Sequence, residues 1–385
     1  MIEVAIVVGI NTDTLDPEKI EEMYPYLEDM PQKFFKLSKE SWGQGDYGLG
    51  SDMATAYYMI HNSPQNMNIT ILTSKDINVK KFNEFDFVIG FYDQFYHYTY
   101  KKDIKAFHQY NDIVKKSKTT FLQPPSLSNY ILDKTKYMKD LKKIGLPVVD
   151  TLSFSLKGPI GVKAMLSKIE KKCLGILDKG GWNMNTFITK PEMVGYGTGF
   201  KKWKLDEVLD NPKKFNEYVK KMKSMGYPKL LAQYFVQEFE QRYEVRTYWF
   251  NGKYSHSIGT IIDPDSLGVS GFEKVKFAYP ENEFVKDFPY DEDNGEPDIL
   301  DQKLVNSLKR MGKKVFSILP KDKTGLPFIL RIDFGCCLNN QKLCRDYFIN
   351  EIEYIPNMFP DYSPYKDPCE ESGKALLQKI KKLSK

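Results

Sequence analysis

The sequence predicts an α/β protein built from several lobes. Its 385 residues exceed what one hydrophobic core ordinarily holds, so we expect two or three lobes. Short apolar runs at 1–10, 67–74 and 85–92 have the length of strands, and helical segments lie between them. This alternation is typical of a mostly parallel sheet. Two acid-bearing strands near the C-terminus, at 327–337 and 346–359, predict a further, antiparallel strand pair.

This C-terminal strand pair carries charges where a strand should bury hydrocarbon. Because side chains alternate along a strand, Arg331 and Asp333 share one face of the first strand, and Glu351 and Glu353 share one face of the second. Carboxylates this close repel one another unless a cation lies between them. All-oxygen ligands suit Mg²⁺, which usually accompanies nucleotide phosphates. We therefore favour a metal site over the alternative, a solvated acidic edge of a sheet.

Composition narrows the class of protein. A hydrophobic content of 41% predicts a globular protein, and a net charge of +5 fits an anionic ligand but is weak evidence for nucleic acid. Five cysteines in a chain of this length predict reduced thiols and a cytoplasmic location. The four histidines show no zinc spacing with the cysteines, and neither a signal peptide nor an apolar run long enough to span a membrane is found. We expect neither a nucleic acid nor a membrane as a partner.

Two segments of the N-terminal region each allow two interpretations. The glycine-rich stretch at 41–60 enters a helix, with Ser51 or Asp52 as the predicted N-cap. Such a loop can bind an anion at the helix N-terminus, and it can equally be a mobile connector. The aromatic cluster at 91–100 follows a predicted strand, where ligands of parallel sheets bind, so it forms either a substrate wall or surface packing.

The middle of the chain carries a candidate phosphate site. After a boundary at Gln123, the sequence predicts a helix over 126–143 and a strand over 144–154. A later strand ends at Lys190, and alternating glycines follow it over 195–199. Backbone amides of such a loop can approach phosphate oxygens, and the lysine supplies a positive charge. A simple hairpin turn is the alternative.

The last third of the chain alternates between strands and helices. Glu244 and Arg246 share one face of the predicted strand at 243–262. The acid-rich segment at 263–298 is predicted to be a long loop. The remaining predictions are a helix from Asn211 to about Met225, a strand at 230–239, a helix at 300–318, and a terminal helix at 374–385 docked on its own lobe.

Together, the strand-end lysine, the glycine loop, the Glu/Arg strand and the three-carboxylate strand pair fit a phosphoryl-transfer site, which works by positioning and charge neutralisation. From about residue 120 to 362 the chain resembles the ATP-grasp enzymes. The carrying motifs are, in chain order, NYILDKTKYMKDLKKIGLPVVDT, ITKPEMVGYGTGF, LAQYFV, YEVRTYWFNGK, ILRIDFG and FINEIEYIP. The last two are most similar to D-alanine–D-alanine ligases, and the YEVR arginine to glutathione synthetases and ribosomal-protein glutamate ligases.

The resemblance implies ATP and Mg²⁺ as cofactors, with Mn²⁺ as a possible substitute, and a role for each matched residue. Lys134 would lie at the α-phosphate, and Lys190 at the α- and β-phosphates. The loop with Gly195, Gly197, Thr198 and Gly199 would hold the β- and γ-phosphates, and the hinge of Gln233, Tyr234, Phe235 and Val236 would meet adenine. Glu244 would bind ribose, Arg246 would face the γ-phosphate, Asp333, Glu351 and Glu353 would hold the metal, and Arg331 would meet the charge of the transition state.

Three features depart from the family pattern. Glu353 stands where an asparagine is usual, and it adds one negative charge. Pro356 is followed by Asn357 instead of glycine. The strand after Glu244 shows no second substrate arginine.

The resemblance implies a division into a substrate-side α/β lobe (1–124), a central ATP-grasp lobe (125–238) and a metal-bearing lobe (239–385). It also implies a ligase that joins a carboxylate to an amine through an acylphosphate, with a small molecule or a peptide as substrate. Two alternatives are a kinase that phosphorylates a polyol such as an inositol phosphate, and a non-catalytic nucleotide-binding protein. The scarcity of arginine over 30–100 argues against the kinase, and the complete metal triad argues against the non-catalytic protein.

Overall fold

The computed structural model confirms the predicted α/β fold, and the strands among the residues that it describes form four sheets. Elements are numbered in chain order. The structure describes residues 1–8, 14–15, 49–91, 104–159, 161–175, 184–193, 199–236, 239, 244–262, 272–278, 300, 302–337, 346–354, 356 and 367–385.

The first sheet is parallel, as the sequence predicts, and has the strand order β4-β1-β5-β6. The prediction of Ser51 or Asp52 as the N-cap is wrong, because Gly50 occupies that position. The strands of this sheet are β1 (Ile2–Val7), β4 (Met67–Leu72), β5 (Phe87–Gly90) and β6 (Thr120–Phe121), the helices are α1 (Ser51–Asn62), α2 (Val79–Phe82) and α3 (Ile104–Lys116), and a short antiparallel pair is formed by β2 (Thr14–Leu15) and β3 (Leu49–Gly50). Residues 92–100 of the aromatic cluster lie outside the described residues.

Two helices precede the second sheet where the sequence predicts one over 126–143. They are α4 (Pro125–Leu132) and α5 (Lys134–Lys143), and Asp133 separates them. The carboxylate of Asp133 accepts a hydrogen bond from the backbone N–H of Lys136 at 3.0 Å, so Asp133 is the N-cap of α5. An aspartate that caps a helix in this way favours a new start over continuation. The break makes Lys134 the first residue of α5.

The second sheet is antiparallel, with the order β7-β10-β8-β9. Apolar side chains on one of its faces form a core with those of three helices, so the opposite face is left toward the rest of the chain. The strands are β7 (Thr151–Ser155), β8 (Thr186–Pro191), β9 (Lys201–Lys204) and β10 (Lys229–Tyr234), and the helices are α6 (Val162–Cys173), α7 (Leu205–Asp210) and α8 (Lys213–Ser224).

The third sheet is antiparallel, with the order β13-β12-β11-β14-β15. The segment predicted as one strand over 243–262 is a hairpin, because Asn251 and Gly252 adopt positive φ angles of 48° and 75° and turn the chain. The prediction of a loop over 263–298 is wrong at 272–278, which is a strand. The elements are β11 (Glu244–Phe250), β12 (Lys253–Ile262), β13 (Phe272–Ala278), α9 (Gln302–Val315), β14 (Ile329–Cys337) and β15 (Asp346–Glu353).

The terminal helix α10 (Pro368–Leu383) joins the first and third sheets. Its apolar side chains belong to one core with residues of β1, α1, β11 and β14. Gly373 lies so close to Tyr58 of α1 that an added Cβ would be 2.4 Å from the tyrosine ring. The helix therefore docks on α1 as well as on the third sheet, beyond the single lobe that the sequence predicts. Among the described residues, no helix is long and apolar enough to cross a membrane.

Candidate functional site

The predicted site residues of β11, β14 and β15 lie side by side on one face of the third sheet. Arg246 of β11 pairs in register with Asp333 of β14, which pairs with Glu351 of β15. Two residues away on each strand, and on the same face, Arg331 pairs with Glu353. A bulge follows Asp333 and leaves two residues of β15 opposite one of β14, after which the pairing resumes with Phe334 opposite Ile349. The predicted shared faces are therefore correct.

Arg331 is buried among carboxylates. Its Nε and Nη2 atoms donate to the two oxygens of Asp333, both at 2.8 Å, and Nη2 lies 2.9 Å from Oε1 of Glu353. Only 5% of Arg331 and 3% of Asp333 are exposed. A bidentate guanidinium–carboxylate pair in a buried position is rigid and strongly held. Arg331 thus occupies the place between two of the three predicted metal ligands.

Glu244 and Arg246 form a second buried pair. Nη2 of Arg246 donates to Oε2 of Glu244 at 2.6 Å, and Nη1 donates to the hydroxyl of Thr260. The other carboxylate oxygen of Glu244 accepts a hydrogen bond from Nδ2 of Asn350 at 2.8 Å. Strands β12 and β15 therefore both fix the orientation of the Glu244–Arg246 pair.

Lys134 connects the region of the second sheet to the third. It is the first residue of α5, and its Nζ forms an ion pair with Oε1 of Glu351 on β15. Only 5% of Lys134 is exposed. Burial alone raises the pKa of Glu351, but the charges of Lys134 and Lys190 outweigh burial, so this pKa lies below its ordinary value. Two lysines that are 56 residues apart in sequence thus act on one carboxylate.

Lys190 lies at the end of β8, within electrostatic reach of the same carboxylates. Its pKa is lowered to about 8, first by burial and then by the charge of Lys134. Glu351, Glu244 and Asp333 act in the opposite direction. The structure therefore brings together both predicted phosphate lysines and the acidic face of the third sheet.

The carboxylate set suits a divalent cation by its chemistry. Burial, partly offset by Arg331, raises the pKa of Glu353 to about 7, and the charges of Asp333 and Glu351 raise it too. As their side chains stand, the described Asp, Glu, His and Cys residues contain no group of three that could hold a metal ion. Asp333 and Glu353 contact Arg331, and Glu351 contacts Lys134. The oxygen donors fit Mg²⁺, and binding it would require them to exchange these protein cations for the metal.

One glycine of the predicted phosphate loop lies in the described part of the chain. Gly199 has a φ of 71°, and an added Cβ would approach the ring of Pro191 to 2.9 Å and Sδ of Met222 to 3.0 Å. Both the backbone angle and the space therefore require glycine. The hydroxyl of Tyr218 donates to the Gly199 carbonyl at 2.7 Å and holds this end of the loop against α8. Gly195, Gly197 and Thr198 lie outside the described residues.

The predicted adenine hinge is buried at the end of β10. Gln233 uses its side chain within the second sheet, where Nε2 donates to the hydroxyl of Thr151 at 2.7 Å. The Nζ of Lys202 lies 3.6 Å from the ring centroid of Phe235. Tyr234 and Val236 are buried in the core of the second sheet. The side chains of the hinge are therefore engaged within the second sheet, and the backbone N–H of Phe235 also donates to the Thr186 carbonyl at 3.3 Å.

Sequence reasoning missed a polar cluster next to both lysines. Glu192, which is 3% exposed, accepts hydrogen bonds from the hydroxyl and the backbone N–H of Thr135 at 2.7 and 3.3 Å. Lys229 of β10 lies 3.0 Å from Glu192 and 3.2 Å from Asp133. The cluster therefore links the start of α5, which carries Lys134, to the residues that follow Lys190. Its sequence signal is an acid directly after the Lys190–Pro191 strand end, but its partners are too distant in sequence to identify.

The comparisons with known proteins address the fold. No protein-family model and no curated protein sequence matches the chain. Among solved structures, the D-cycloserine synthetase DcsG aligns over 98% of this chain and 99% of its own, at 15% identity and a TM-score of 0.58. The D-Ala:D-Ser ligase VanG from Enterococcus faecalis aligns over 100% and 98% at 11% identity and a TM-score of 0.56.

A third solved structure, a D-alanine–D-alanine ligase from Bacillus anthracis in complex with ATP, aligns over 100% of this chain and 99% of its own, at 11% identity and a TM-score of 0.55. All three alignments run through the first sheet as well as the two that bear the site. The similarity in structure, over nearly the full length and in spite of low identity, confirms the fold that the motifs indicate. The chain has the ATP-grasp fold.

Proposed function

We propose that this protein is an ATP- and Mg²⁺-dependent ligase that joins a carboxylate to an amine through an acylphosphate. The observation that carries the proposal is the meeting of two lysines from the region of the second sheet with two arginines and three carboxylates of the third. A site of this composition can hold a polyphosphate and its metal, and it can neutralise the charge that develops on transfer.

Nucleotide binding is assigned to the space between the second and third sheets. Lys134 and Lys190 would contact the phosphates, because both are held within reach of Glu351 at the junction. The loop that ends at Gly199 would contact the outer phosphates, and the backbone of 233–236 would meet adenine. Glu244 would accept hydrogen bonds from ribose while keeping its contact with Arg246. In this proposal the central lobe spans 125–238 and the metal-bearing lobe spans 239–385.

Asp333, Glu351 and Glu353 would hold the metal. Bound by these carboxylates, Mg²⁺ would supply positive charge that neutralises phosphate oxygens. Lys134 would then be released from Glu351 to meet phosphate, and the carboxylates would take the metal in its place. This exchange keeps every buried charge paired both before and after binding, which avoids the cost of an unpaired buried charge.

Arg246 and Arg331 would act on the reacting groups. A carboxylate becomes reactive once one of its oxygens is phosphorylated, because phosphate is then the leaving group when the amine attacks. Arg246 lies beside Asp333 in the sheet and would face the transferred phosphoryl group. Arg331 is paired with Asp333 and Glu353 in the structure; once these carboxylates took the metal, it would be released to meet the oxygen that gains charge during amine attack.

The solved relatives support the reaction class by their printed names, which are ligases and a synthetase for small amino-acid substrates. The substrates in these names are those of the solved structures. For this chain we propose only the reaction type. The substrate would bind beside the first lobe, 1–124.

The experiment is a substrate survey with mass readout. The protein is incubated with ATP and Mg²⁺ and with pools of amino acids, short peptides and inositol phosphates, and ADP and product masses are followed. ADP with a condensed product supports the ligase. A product that gains only a phosphoryl group would replace the ligase by a kinase. Glu351→Gln serves as the control for turnover by a contaminant.

A further inference from the structure

Positive charge is concentrated in the middle of the chain. Residues 125–236 contain 21 lysines and no arginine against 10 aspartates and glutamates, a net charge of +11. The rest of the chain has 35 lysines and arginines against 41 acids, a net charge of −6. Such a separation of charge within one chain indicates a polyanionic ligand of the basic part. The net charge of the whole chain, +5, does not reveal this separation.

The lysines of this region face solvent. In the described part of 125–236, sixteen of them are exposed, and they belong mainly to α5, α6, α8 and β9. Two lysines, Lys134 and Lys190, belong to the proposed nucleotide site. The exposed lysines of α6 and α8, together with Lys201 on the same strand face as the core residue Trp203, lie on the helical side of the second sheet.

A cleft lies within this surface, between α8 and the segment 199–201. We call it the lysine cleft, and its volume is about 390 Å³. Its lining consists of Gly199, Phe200, Lys201, Lys214, Glu217, Tyr218, Lys221 and Met222. Three of these are lysines and one is an acid, so the lining carries an excess of positive charge.

The three lysines of the cleft are available to a ligand. Lys201, Lys214 and Lys221 are exposed, and none of them forms an ion pair with a residue that the structure describes. The Nζ of Lys201 lies 4.3 Å from the ring centroid of Trp203, which restricts its position without neutralising its charge. An anion bound here would gain attraction without breaking a salt bridge to any residue that the structure describes.

The cleft borders the end of the predicted phosphate loop. Gly199 lines the cleft and is also the last residue of the predicted phosphate loop. The hydroxyl of Tyr218, in the cleft wall, donates to the Gly199 carbonyl. A ligand in the cleft therefore contacts the same residues that hold the end of the loop, so its occupancy can be sensed at the loop.

We propose that the lysine cleft binds an acidic segment of a polypeptide, and that this polypeptide carries the substrate. The second part of this proposal, that the bound polypeptide carries the substrate, rests on the proposed ligase function. A run of Asp and Glu residues matches several separated ammonium groups along a groove, and exposed lysines beyond the cleft extend the match to a longer chain. A volume of about 390 Å³ accommodates a short stretch of peptide.

Two observations favour a polypeptide over a nucleic acid. Arginine, which pairs with phosphate through two parallel hydrogen bonds, is absent from 125–236. Single-stranded nucleic acids also stack their bases on exposed aromatic rings. Among the residues whose side-chain exposure the structure describes, no Phe, Tyr or Trp is exposed; at the cleft, Trp203 and Tyr218 are buried and Phe200 is half-buried.

The test is a binding measurement without nucleotide. A fluorescein-labelled oligoglutamate peptide is titrated with the full chain, and fluorescence anisotropy gives the Kd at low and at moderate salt. The variant Lys201→Gln/Lys214→Gln/Lys221→Gln should weaken binding by at least ~10-fold and should flatten the salt dependence. The matched control Lys303→Gln/Lys313→Gln/Lys314→Gln removes the same charge from α9 and should change the Kd less than about 2-fold.

Four outcomes decide the proposal. An equal loss of peptide affinity in both triple variants means that binding follows net charge, which overturns the assignment of the cleft as the binding site. An unchanged Kd in the cleft variant overturns it too. Tighter binding of a labelled oligonucleotide of equal charge, lost in the cleft variant, replaces the polypeptide by a nucleic acid. Loss confined to the cleft variant and to the peptide supports the proposal. Because the binding measurement contains no nucleotide, it is independent of turnover: a substrate survey that yields no ADP would refute the ligase and leave the cleft standing.

Discussion

Glu192 offers a test of how Lys134 and Lys190, the two lysines proposed to contact phosphate, are held together. Its carboxylate is 3% exposed and joins Thr135, next to Lys134, to Lys229 of β10. Glu192→Gln keeps the shape but removes the charge that both partners contact. Hydrogen bonds to a charged group each contribute about 1.5–3 kcal/mol, and Lys229 keeps Asp133 as a partial substitute. We therefore expect a loss of about 2–4 kcal/mol in the free energy of unfolding.

The same change should affect nucleotide affinity. With Thr135 released, the start of α5 is less firmly placed against the strand that ends at Lys190, and we expect ATP to bind roughly 5–10-fold more weakly. Urea unfolding and calorimetric titration with ATP and Mg²⁺ measure the two effects.

The matched control is Glu207→Gln, which removes an exposed pair with Lys204 and should change stability by less than about 0.5 kcal/mol. If Glu192→Gln matches wild type in both stability and ATP affinity, the cluster does not position the lysines. A stability loss with unchanged ATP affinity would make Glu192 a folding residue alone.

Three further changes probe other parts of the account. Glu351→Gln should leave the fold intact and lower turnover by on the order of 10³-fold, since it removes a metal ligand, and near wild-type ATP turnover would refute the assignment. Arg331→Met should reduce condensation by about 3–4 kcal/mol of transition-state stabilisation, measured as kcat, while ATP affinity changes far less; equal losses would contradict its role in amine attack. Burial lowers the pKa of Lys379 to about 8, so between about pH 8 and the ordinary lysine value of 10.5 the unfolded chain binds more protons than the folded one. Stability should therefore rise with pH across that window in urea unfolding, and Lys379→Met should remove the rise and gain roughly 1–2 kcal/mol at neutral pH; a rise that persists in the variant would refute this origin.

The parts of the fold that the sequence could predict are those set by local pattern. Alternation along a strand places Arg331 and Asp333 on one face, and the structure pairs them directly with Glu353 and Glu351 across the sheet. The parallel first sheet follows in the same way from apolar runs separated by helices. The hairpin turn was also within reach of the sequence, because the Asn251–Gly252 pair between two apolar runs is a strong signal for a two-residue turn, and reading 243–262 as one strand overlooked it.

Long-range contacts explain the remaining differences. Glu192 finds its partners 37 and 57 residues away, and no local pattern encodes either distance. The terminal helix α10 has an amphipathic sequence, but that pattern does not say which surface covers its apolar face. The structure uses α1 for part of this surface, through the close approach of Gly373 and Tyr58. Ion pairs of Arg331 and Lys134 with the predicted metal ligands were likewise not foreseen, because face-sharing arguments do not give side-chain direction.

The central claim is that ATP activates a carboxylate, and transfer of an oxygen isotope tests it most directly. The carboxylate substrate identified by mass is labelled with ¹⁸O and incubated with the protein, ATP, Mg²⁺ and the amine, and the inorganic phosphate released is analysed by mass spectrometry. The account predicts one ¹⁸O atom per phosphate, because the oxygen that bonds to phosphorus leaves with it when the amine attacks. Unlabelled phosphate, or phosphorus retained on an alcohol of the product, would contradict the account.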